Sequence, residues 1–340
     1  MKKFLAASLA SGLMLSVSTV AIATETLILS SWLPPKHPIV ADMIKPWIKT
    51  VEKESNGELS IKILPKALGA PPAHFDLAKD NVADITYGVH GYQPGRFKLV
   101  GVSELPFLGD SSEAASVAYW RTHEKFLAAA NEHEGAVLLG LMNHGPGAIY
   151  NNVRSINSVA DLDGLKFRVG GGVAGTLAKG LNITPLMAPA PKSYEMLANG
   201  VADGILFPAE SIKSFKLTNY LKYATSVPGG LYNTSFFLVA SSKKFNALSK
   251  SNQAALMRAS GENFARIAGR GWDAADAAGR REMQAKGIEY TQASDSFINE
   301  IQQVAAPLEA AWIKLANDNG VDGAAALAYL RAEIAKESND

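Results

Sequence analysis

Short apolar runs with the pattern of β-strands alternate with helical patterns over the first two thirds of the chain, and this alternation constrains the fold most strongly. Strands that alternate with helices are typical of mainly parallel sheets covered by helices. The predicted strands span 25–32, 59–64, 83–88, 100–105, 136–142, 148–152, 165–169, 183–187 and 204–207. The predicted helices span 39–55, 75–81, 112–132, 173–181 and 191–199, followed by long helical patterns over 248–286, 294–317 and 321–336. The sequence therefore predicts an α/β fold with long helices in its C-terminal third.

The N-terminus has the pattern of an export signal. Lys2 and Lys3 precede a run of small and apolar residues, and this run ends in the small-x-small triplet 21–23. Such a pattern is typical of a secretory signal peptide, so we expect residues 1–23 to be removed after Ala23. An uncleaved membrane anchor is the alternative. The 317 residues that would remain, Thr24–Asp340, are enough for about two domains.

Charge and cysteine content exclude several classes of function. Without Lys2 and Lys3 the chain carries 31 basic and 32 acidic side chains, a net charge of −1. This balance gives no support for nucleic-acid binding or for a basic membrane-binding surface. The chain has no cysteine, which excludes thiol chemistry, iron–sulfur clusters and cysteine-ligated zinc. The six histidines form no metal-binding spacing and G-x-S-x-G is absent, so we expect a protein without metal, cofactor or catalytic activity.

Three glycines between a predicted strand and a predicted helix match the dinucleotide-binding pattern G-x-G-x-x-G. They are Gly170, Gly172 and Gly175. A dinucleotide site also needs an acidic residue about 20 positions further on, at the end of the next strand. The first acid there is Glu195, which lies within a helical pattern. A secreted NAD-dependent dehydrogenase is therefore a remote alternative, and the glycines are explained by a tight turn from strand to helix.

Arg168 lies at the end of the predicted strand that precedes these glycines. An arginine is costly to bury unless it has a partner, which is either an internal carboxylate or the anion of a ligand. Its planar guanidinium suits a carboxylate, and the backbone N–H groups near Gly170 and Gly172, at the start of a helix, also favour an anion. The residues alone leave the internal ion pair and the ligand site equally open.

Aromatic side chains at the ends of strands, or in the loops that follow, are candidates for the wall of a ligand cleft. Ligands of α/β sheets bind beyond the carboxyl ends of the strands, in pockets lined mainly by apolar and aromatic groups. The candidates are Trp32, Tyr87, Tyr92, Phe207 and Tyr232.

The chain resembles the periplasmic substrate-binding proteins of tripartite ATP-independent periplasmic (TRAP) transporters, the DctP-like group, over nearly its whole mature length. Residues 162–169, Leu-Asp-Gly-Leu-Lys-Phe-Arg-Val, are the most diagnostic segment. The other segments that carry the resemblance are Val51–Gly57, Ile61, Leu64–Pro65, Leu68–Gly69, Val82–Ile85, Pro94–Phe97, Glu104–Phe107 and Tyr194–Gly204.

The resemblance implies two α/β lobes that clamp a ligand between them. It places the lobes at about 24–145 plus 234–273 and 146–233 plus 274–310, with a C-terminal helical segment at 311–340. It implies that Arg168 binds the carboxylate of an organic acid. It also implies that the protein works in the periplasm and delivers the acid to membrane permease subunits driven by an ion gradient. A binding protein of an ATP-driven transporter or of a sensor is the alternative.

Two departures from the family pattern bear on the ligand. Gly147 stands where many members have a second arginine, and Phe207 stands where many have asparagine. The chain thus lacks one cationic and one polar contact and gains an aromatic ring. We expect a monocarboxylate with an apolar or aromatic body, and polar contacts to this body from Asn143, His144, Glu210 and Asn233.

Overall fold

Two β-sheets covered by helices form the framework of the protein in a computed structural model that describes residues 24–339. The predicted signal segment 1–23 lies outside the described residues. The strands are β1 (Glu25–Ser30), β2 (Leu59–Ile63), β3 (Ile85–Val89), β4 (Ala136–Asn143), β5 (Ala148–Asn151), β6 (Lys166–Val169), β7 (Thr184–Met187), β8 (Gly204–Phe207), β9 (Tyr223–Ser226), β10 (Ser235–Ser241) and β11 (Glu289–Gln292). The α-helices are α1 (Lys45–Glu54), α2 (His74–Lys79), α3 (Ser112–Thr122), α4 (Gly172–Gly180), α5 (Ser193–Ala198), α6 (Ala209–Ser214), α7 (Ser242–Ala247), α8 (Lys250–Ala259), α9 (Glu262–Ala285), α10 (Asp295–Asp318) and α11 (Gly323–Glu337). The predicted α/β class is confirmed.

The first sheet has the strand order β2-β1-β3-β10-β4. β1 runs parallel to β2 and β3, whereas β10 runs antiparallel to β3 and β4. All seven residues of β10 are buried because this strand lies inside the sheet and is covered on both faces. Trp32 and Tyr92 follow the carboxyl ends of β1 and β3 and therefore lie at one edge of this sheet.

The second sheet has the order β11-β9-β5-β8-β6-β7. β6 runs parallel to both β7 and β8, so that Arg168 on β6 lies opposite Leu186 and Ile205. β5 runs antiparallel to β8 and β9. Because β6 and β8 are parallel, Arg168 and Phe207 lie near the same edge of the sheet.

The long helices pack against both sheets. On α9, Phe264, Ala268 and Trp272 recur every four residues and join the core of the first sheet, whereas Met283 joins a core of the second. α9 packs closely on α3, which contacts β4 of the first sheet, and on α6, which follows β8 of the second sheet. Within residues 24–339, no helix is long and apolar enough to cross a membrane.

The predicted strand at 100–105 is wrong, because Leu99–Glu104 form a 3₁₀ helix. The Glu132 carboxylate accepts hydrogen bonds from the backbone N–H groups of Leu99 and Val100, at 2.9 Å and 3.2 Å. It thereby satisfies the free donors at the start of this helix. The periodicity of a short, fully buried apolar run does not distinguish a strand from a helix. Here the hydrogen bonds to Glu132, which lies further along the chain, stabilise the helical form.

The predicted helical segments at 112–132 and 248–286 are also too long. The first leaves α-helical geometry after Thr122 and ends at Asn131, which has a left-handed backbone. The second is two helices, α8 and α9, because Gly261 has a positive φ of 61° between them. Three strands, β9, β10 and β11, lie in segments for which the sequence predicted no strand.

Candidate functional site

A cavity lined mainly by apolar and aromatic side chains, as small-molecule sites are, lies between the two sheets. Its walls come from the ends of β1, β3, β6 and β8 and from the segments that connect the sheets. The lining residues are Trp32, Leu33, His37, Ile39, Val89, Tyr92, His144, Arg168, Gly170, Ala190, Phe207, Pro208, Ser211, Phe215, Tyr232, Thr234, Phe236 and Trp272. Seven of the twelve residues predicted for the site line this cavity. They are Trp32, Tyr92, His144, Arg168, Gly170, Phe207 and Tyr232.

The guanidinium of Arg168 is fixed in this cavity by neutral groups. Its Nε and Nη2 atoms both donate to the carbonyl oxygen of Ala188, at 2.9 Å and 2.6 Å. The hydroxyl of Tyr92 lies 3.4 Å from Nη2, and the ring of Phe207 lies 4.4 Å below the guanidinium carbon, a cation–π distance. Nη1 forms none of the hydrogen bonds within residues 24–339. This edge of the fork is therefore free to bind a ligand.

The charge of Arg168 is buried without an acidic partner in the described part of the chain. The residue is 1 % exposed, and none of the ion pairs within residues 24–339 includes it. Burial lowers the pKa of Arg168 from its usual value, although an arginine stays charged at neutral pH. A buried cation without a counter-ion is costly, so the arrangement favours an anionic ligand.

Two tyrosines complete the surroundings of Arg168. Tyr92 comes from the first sheet and accepts a hydrogen bond from the Ala190 N–H of the second, at 2.8 Å, so that it bridges the two sides of the cavity. Tyr232 lines the cavity as well, and a side chain at Gly147 would collide with its ring. Gly147 thus makes room for the ring of Tyr232.

Aromatic rings form the apolar part of the walls. Phe207 and Phe215 stack at 5.8 Å and 16°, and Trp32 lies with its ring 6.1 Å from that of Tyr92. Tyr87 does not line the cavity but supports Trp32 from behind, since its carbonyl accepts the Trp32 Nε1–H at 3.2 Å and its hydroxyl bonds Ser31 at 2.6 Å. The sequence predicted that Tyr87 contacts the ligand, whereas in the structure it lies behind Trp32, which lines the cavity.

The glycine turn before α4 contacts the protein itself. Gly171 and Gly172 have positive φ angles of 93° and 61°, and a Cβ atom on either would collide with Gly91 or with Glu104. Glu104 accepts the Val173 N–H at 3.0 Å and the Ser235 hydroxyl at 2.7 Å. The start of α4 thus holds a carboxylate of the protein, where the sequence predicted a ligand anion. Gly170 lines the cavity, whereas Gly172 does not.

The predicted polar residues divide between the cavity and its surroundings. His144 lines the cavity, and its Nδ1 bonds the Gly145 carbonyl, which leaves Nε2 without a partner. Glu210 lies behind the lining with its Oε1 3.6 Å from His37 Nε2. Asn143 lies away from the cavity and donates to Ser103 O at 2.7 Å. Asn233 supports the loop at 144–145, since its amide nitrogen can donate to the His144 carbonyl at 3.1 Å.

Eleven of the eighteen lining residues were not predicted from the sequence, and four of these carry aromatic rings: His37, Phe215, Phe236 and Trp272. His37 had a usable signal, because it lies in the same loop after β1 as Trp32. Phe236 lies in β10, which was not predicted as a strand. Trp272 lies in the middle of α9, where an apolar residue normally reads as core. Only the packing of α9 across the gap between the sheets brings it to the cavity.

Comparisons with known proteins address the family and the overall fold. The model of the family "bacterial extracellular solute-binding protein, family 7" matches residues 29–315. A TRAP periplasmic solute-binding protein from Bordetella bronchiseptica, solved with (R)- and (S)-mandelate, is 44% identical over 92% of this chain and 99% of its own, with a TM-score of 0.90. A marine metagenome TRAP protein specific for aromatic acids, solved with 3-hydroxybenzoate, is 34% identical over 92% and 99%, with a TM-score of 0.86. The outer membrane transporter protein TsaT of Comamonas testosteroni is 31% identical over 312 residues, 92% of each chain.

Proposed function

The chain belongs to the bacterial extracellular solute-binding proteins of family 7, and from this premise we propose that it captures a monocarboxylate with an aromatic or apolar body. We further propose that it works in the periplasm and delivers this acid to the membrane subunits of a TRAP-type permease. The acid is bound and released without chemical change.

The observation that carries the proposal is the buried, unpaired charge of Arg168 in an aromatic cavity. Arg168 lines the cavity, and its Nη1 forms none of the hydrogen bonds within residues 24–339. A carboxylate bound there would therefore accept charge-assisted hydrogen bonds from Nη1 and remove the cost of an unmatched buried cation. The Tyr92 and Tyr232 side chains lie close enough to add hydroxyl contacts.

The walls support an aromatic or apolar body for the ligand. Trp32, Phe207, Phe215 and Phe236 present ring faces and edges to the cavity. Offset and edge-to-face packing of rings adds about 0.5–1.5 kcal/mol per pair beyond the burial of area. The mandelate and 3-hydroxybenzoate found in the two similar solved proteins are acids of this kind.

Contacts across the cavity support capture by closure of two lobes. We propose lobes at about 24–145 plus 234–273 and 146–233 plus 274–310, with 311–340 as a C-terminal helical segment. Tyr92 and Glu104 of the first bond Ala190 and Val173 of the second. Arg168 lies beside the Tyr92 contact, so that a ligand bound there would stabilise the closed arrangement.

A thermal-shift screen of organic acids tests the proposal. Benzoate and other aromatic monocarboxylates should raise the melting temperature, because a ligand at about 100 times its Kd adds roughly 2.7 kcal/mol to stability. Calorimetry should then give one site per chain, and mass spectrometry should recover the acid unchanged. A shift with dicarboxylates or sugar acids alone would overturn the proposed ligand class.

A further inference from the structure

Unpartnered polar atoms are concentrated beside one part of the cavity. Within residues 24–339, ten buried side-chain nitrogen or oxygen atoms have no hydrogen-bond partner, although such groups are nearly always paired. Five of the ten lie on or directly behind the cavity wall that includes α6 and α9. They are His37 Nε2, His144 Nε2, Glu210 Oε1, Trp272 Nε1 and Asp276 Oδ2.

The protonation of one pair follows from its other contacts. His37 Nδ1 accepts the Ile39 N–H at 3.3 Å, and burial lowers the pKa of His37 to about 4, so its Nε2 carries the single ring proton at neutral pH. Glu210 Oε2 accepts the Ser211 hydroxyl at 2.7 Å, so that in the ionised carboxylate Oε1 is an acceptor without a donor among residues 24–339. Nε2 and Oε1 are 3.6 Å apart, too far for a direct hydrogen bond.

A hydroxyl group satisfies both atoms, since it accepts one hydrogen bond and donates another. We propose that a hydroxyl of the ligand binds in the gap between His37, which lines the cavity, and Glu210, which lies directly behind it. His37 Nε2–H donates a hydrogen bond to the hydroxyl, and Glu210 Oε1 accepts one from it. The ligand is then a hydroxylated aromatic acid. This inference rests on the proposed function, which supplies the carboxylate at Arg168.

A series of ring contacts along the cavity wall connects Arg168 to His37. Phe207 lies against Arg168 at 4.4 Å, Phe215 stacks on Phe207 at 5.8 Å, and His37 packs on Phe215 at 5.2 Å. His37 is thus separated from Arg168 by two successive phenylalanine rings. An aromatic acid that spans this wall carries its carboxylate at one end and its hydroxyl at the other.

The competing explanation is that His37 and Glu210 are a buried structural pair that approach each other in solution. In that case the two residues contribute to stability and not to the choice of ligand. The explanations differ in one measurable quantity, the preference of the protein for a hydroxyl over a group of similar size that cannot donate.

Calorimetry on the unmodified protein measures this preference directly. The probes are benzoate, 3- and 4-hydroxybenzoate, and 3- and 4-fluorobenzoate. We expect at least one hydroxybenzoate to bind about tenfold more tightly than the fluorobenzoate with the same substitution, since hydrogen bonds to charged or buried partners are worth this much. Equal affinities within each pair would overturn the inference.

Two variants then assign the preference to residues. His37→Phe removes the donor, and Glu210→Gln replaces the free acceptor by an amide while Ser211 keeps its partner. Each should bring the ratio of hydroxybenzoate to fluorobenzoate affinity to about one. The matched control is His74→Phe, because His74 is also a fully buried histidine but does not line the cavity. This control should keep the ratio of the unmodified protein.

The outcomes separate this inference from the proposed function. Binding of benzoate without any preference for a hydroxyl sinks the hydroxyl site and leaves the aromatic-acid receptor standing. Failure of every aromatic acid to bind sinks both. A preference that survives in both variants shows that the hydroxyl binds elsewhere, and it overturns the assignment to His37 and Glu210.

Discussion

Arg168 and Arg121 have opposite surroundings in the same protein. Arg121 on α3 donates from Nε and Nη2 to both oxygens of Glu262, at 2.9 Å and 2.8 Å, and from Nη1 to Glu333 and Glu337, at 2.7 Å and 2.8 Å. Arg168 is far more deeply buried, yet its partners are a carbonyl, a hydroxyl and an aromatic ring. The more exposed arginine thus has three carboxylates, and the buried one has none within the described residues.

The comparison separates an arginine that stabilises the fold from one that, in the function proposed above, binds the ligand. Arg121 joins α3 to α9 and α11, and Arg266 on α9 bonds two of the same carboxylates. This network satisfies its own charges and has no need of another anion. Arg168 is held in place by neutral acceptors, so that its charge is uncompensated within residues 24–339, which suits the anionic ligand proposed above.

Arg168→Ala should have the largest effect, and the effect should be on binding. Removing one partner of a buried charge pair costs about 2–5 kcal/mol, so the affinity for an aromatic acid should fall at least about thirtyfold. The ligand-free variant should be no less stable than the unmodified protein, since an unmatched buried charge is lost. Calorimetry and thermal melting measure the two quantities.

The control for this variant is Arg258→Ala, because Arg258 is largely exposed, bonds Glu54 and is not among the residues that line the cavity. It should leave the affinity unchanged. Retained affinity in Arg168→Ala would contradict the assignment of the carboxylate site.

Arg121→Ala should give the converse result. We expect a loss of about 1–3 kcal/mol in the free energy of unfolding, because three acidic side chains lose their shared partner. The affinity for the acid should stay within about twofold, since none of these residues lines the cavity. Urea denaturation and calorimetry on the same preparation test this; an affinity loss as large as that of Arg168→Ala would erase the distinction between the two arginines.

Arg168→Lys sharpens the comparison by keeping the charge and removing the planar fork. A lysine cannot make the two parallel hydrogen bonds or hold both Ala188 and a carboxylate. We expect the affinity to fall about tenfold, less than for the alanine variant. Equal losses in the two variants would mean that geometry rather than charge accounts for the whole contribution of Arg168.

The smallest expected effect is a difference in the pH dependence of stability. The arginines lower the pKa of Glu262 and Glu337 from the ordinary value of 4.5. Acids with lowered pKa contribute stability above their unfolded pKa, and this contribution is lost as the pH falls through the lower folded values. The unmodified protein should therefore lose stability between about pH 5 and pH 3 more steeply than Arg121→Ala, by about 1 kcal/mol or less because the groups are partly exposed and screened.

Urea denaturation at several pH values, without ligand, measures this slope. Burial acts with the opposite sign on Glu210, whose pKa is raised to about 7, so its contribution to stability falls as the pH rises between about 4.5 and 7. Glu210 is present in both proteins, so the difference between them isolates the Arg121 network. Parallel pH curves would show that the contribution of this network to stability does not depend on pH.

Local sequence patterns were a good guide where one residue type at a strand end carries the chemistry. Arg168, Phe207 and Tyr92 were found in this way, and the structure gathers them in one cavity. The patterns failed at Leu99–Glu104, where Glu132 stabilises a helical turn in an apolar run. They failed again at Gly172, whose turn faces Glu104, a residue 68 positions earlier in the chain.

The sequence by itself determined the α/β class, the family and the arginine that makes the cavity suitable for an anion. These properties depend on local periodicity and on single residues whose chemistry has few alternatives. Only the tertiary structure decided that, among residues 24–339, Arg168 has no carboxylate partner, that Tyr232 fills the space at Gly147, and that His37 and Glu210 face each other without a hydrogen bond. The reason is physical: whether a polar group is satisfied depends on atoms that are distant in sequence, and only packing brings those atoms within hydrogen-bonding distance.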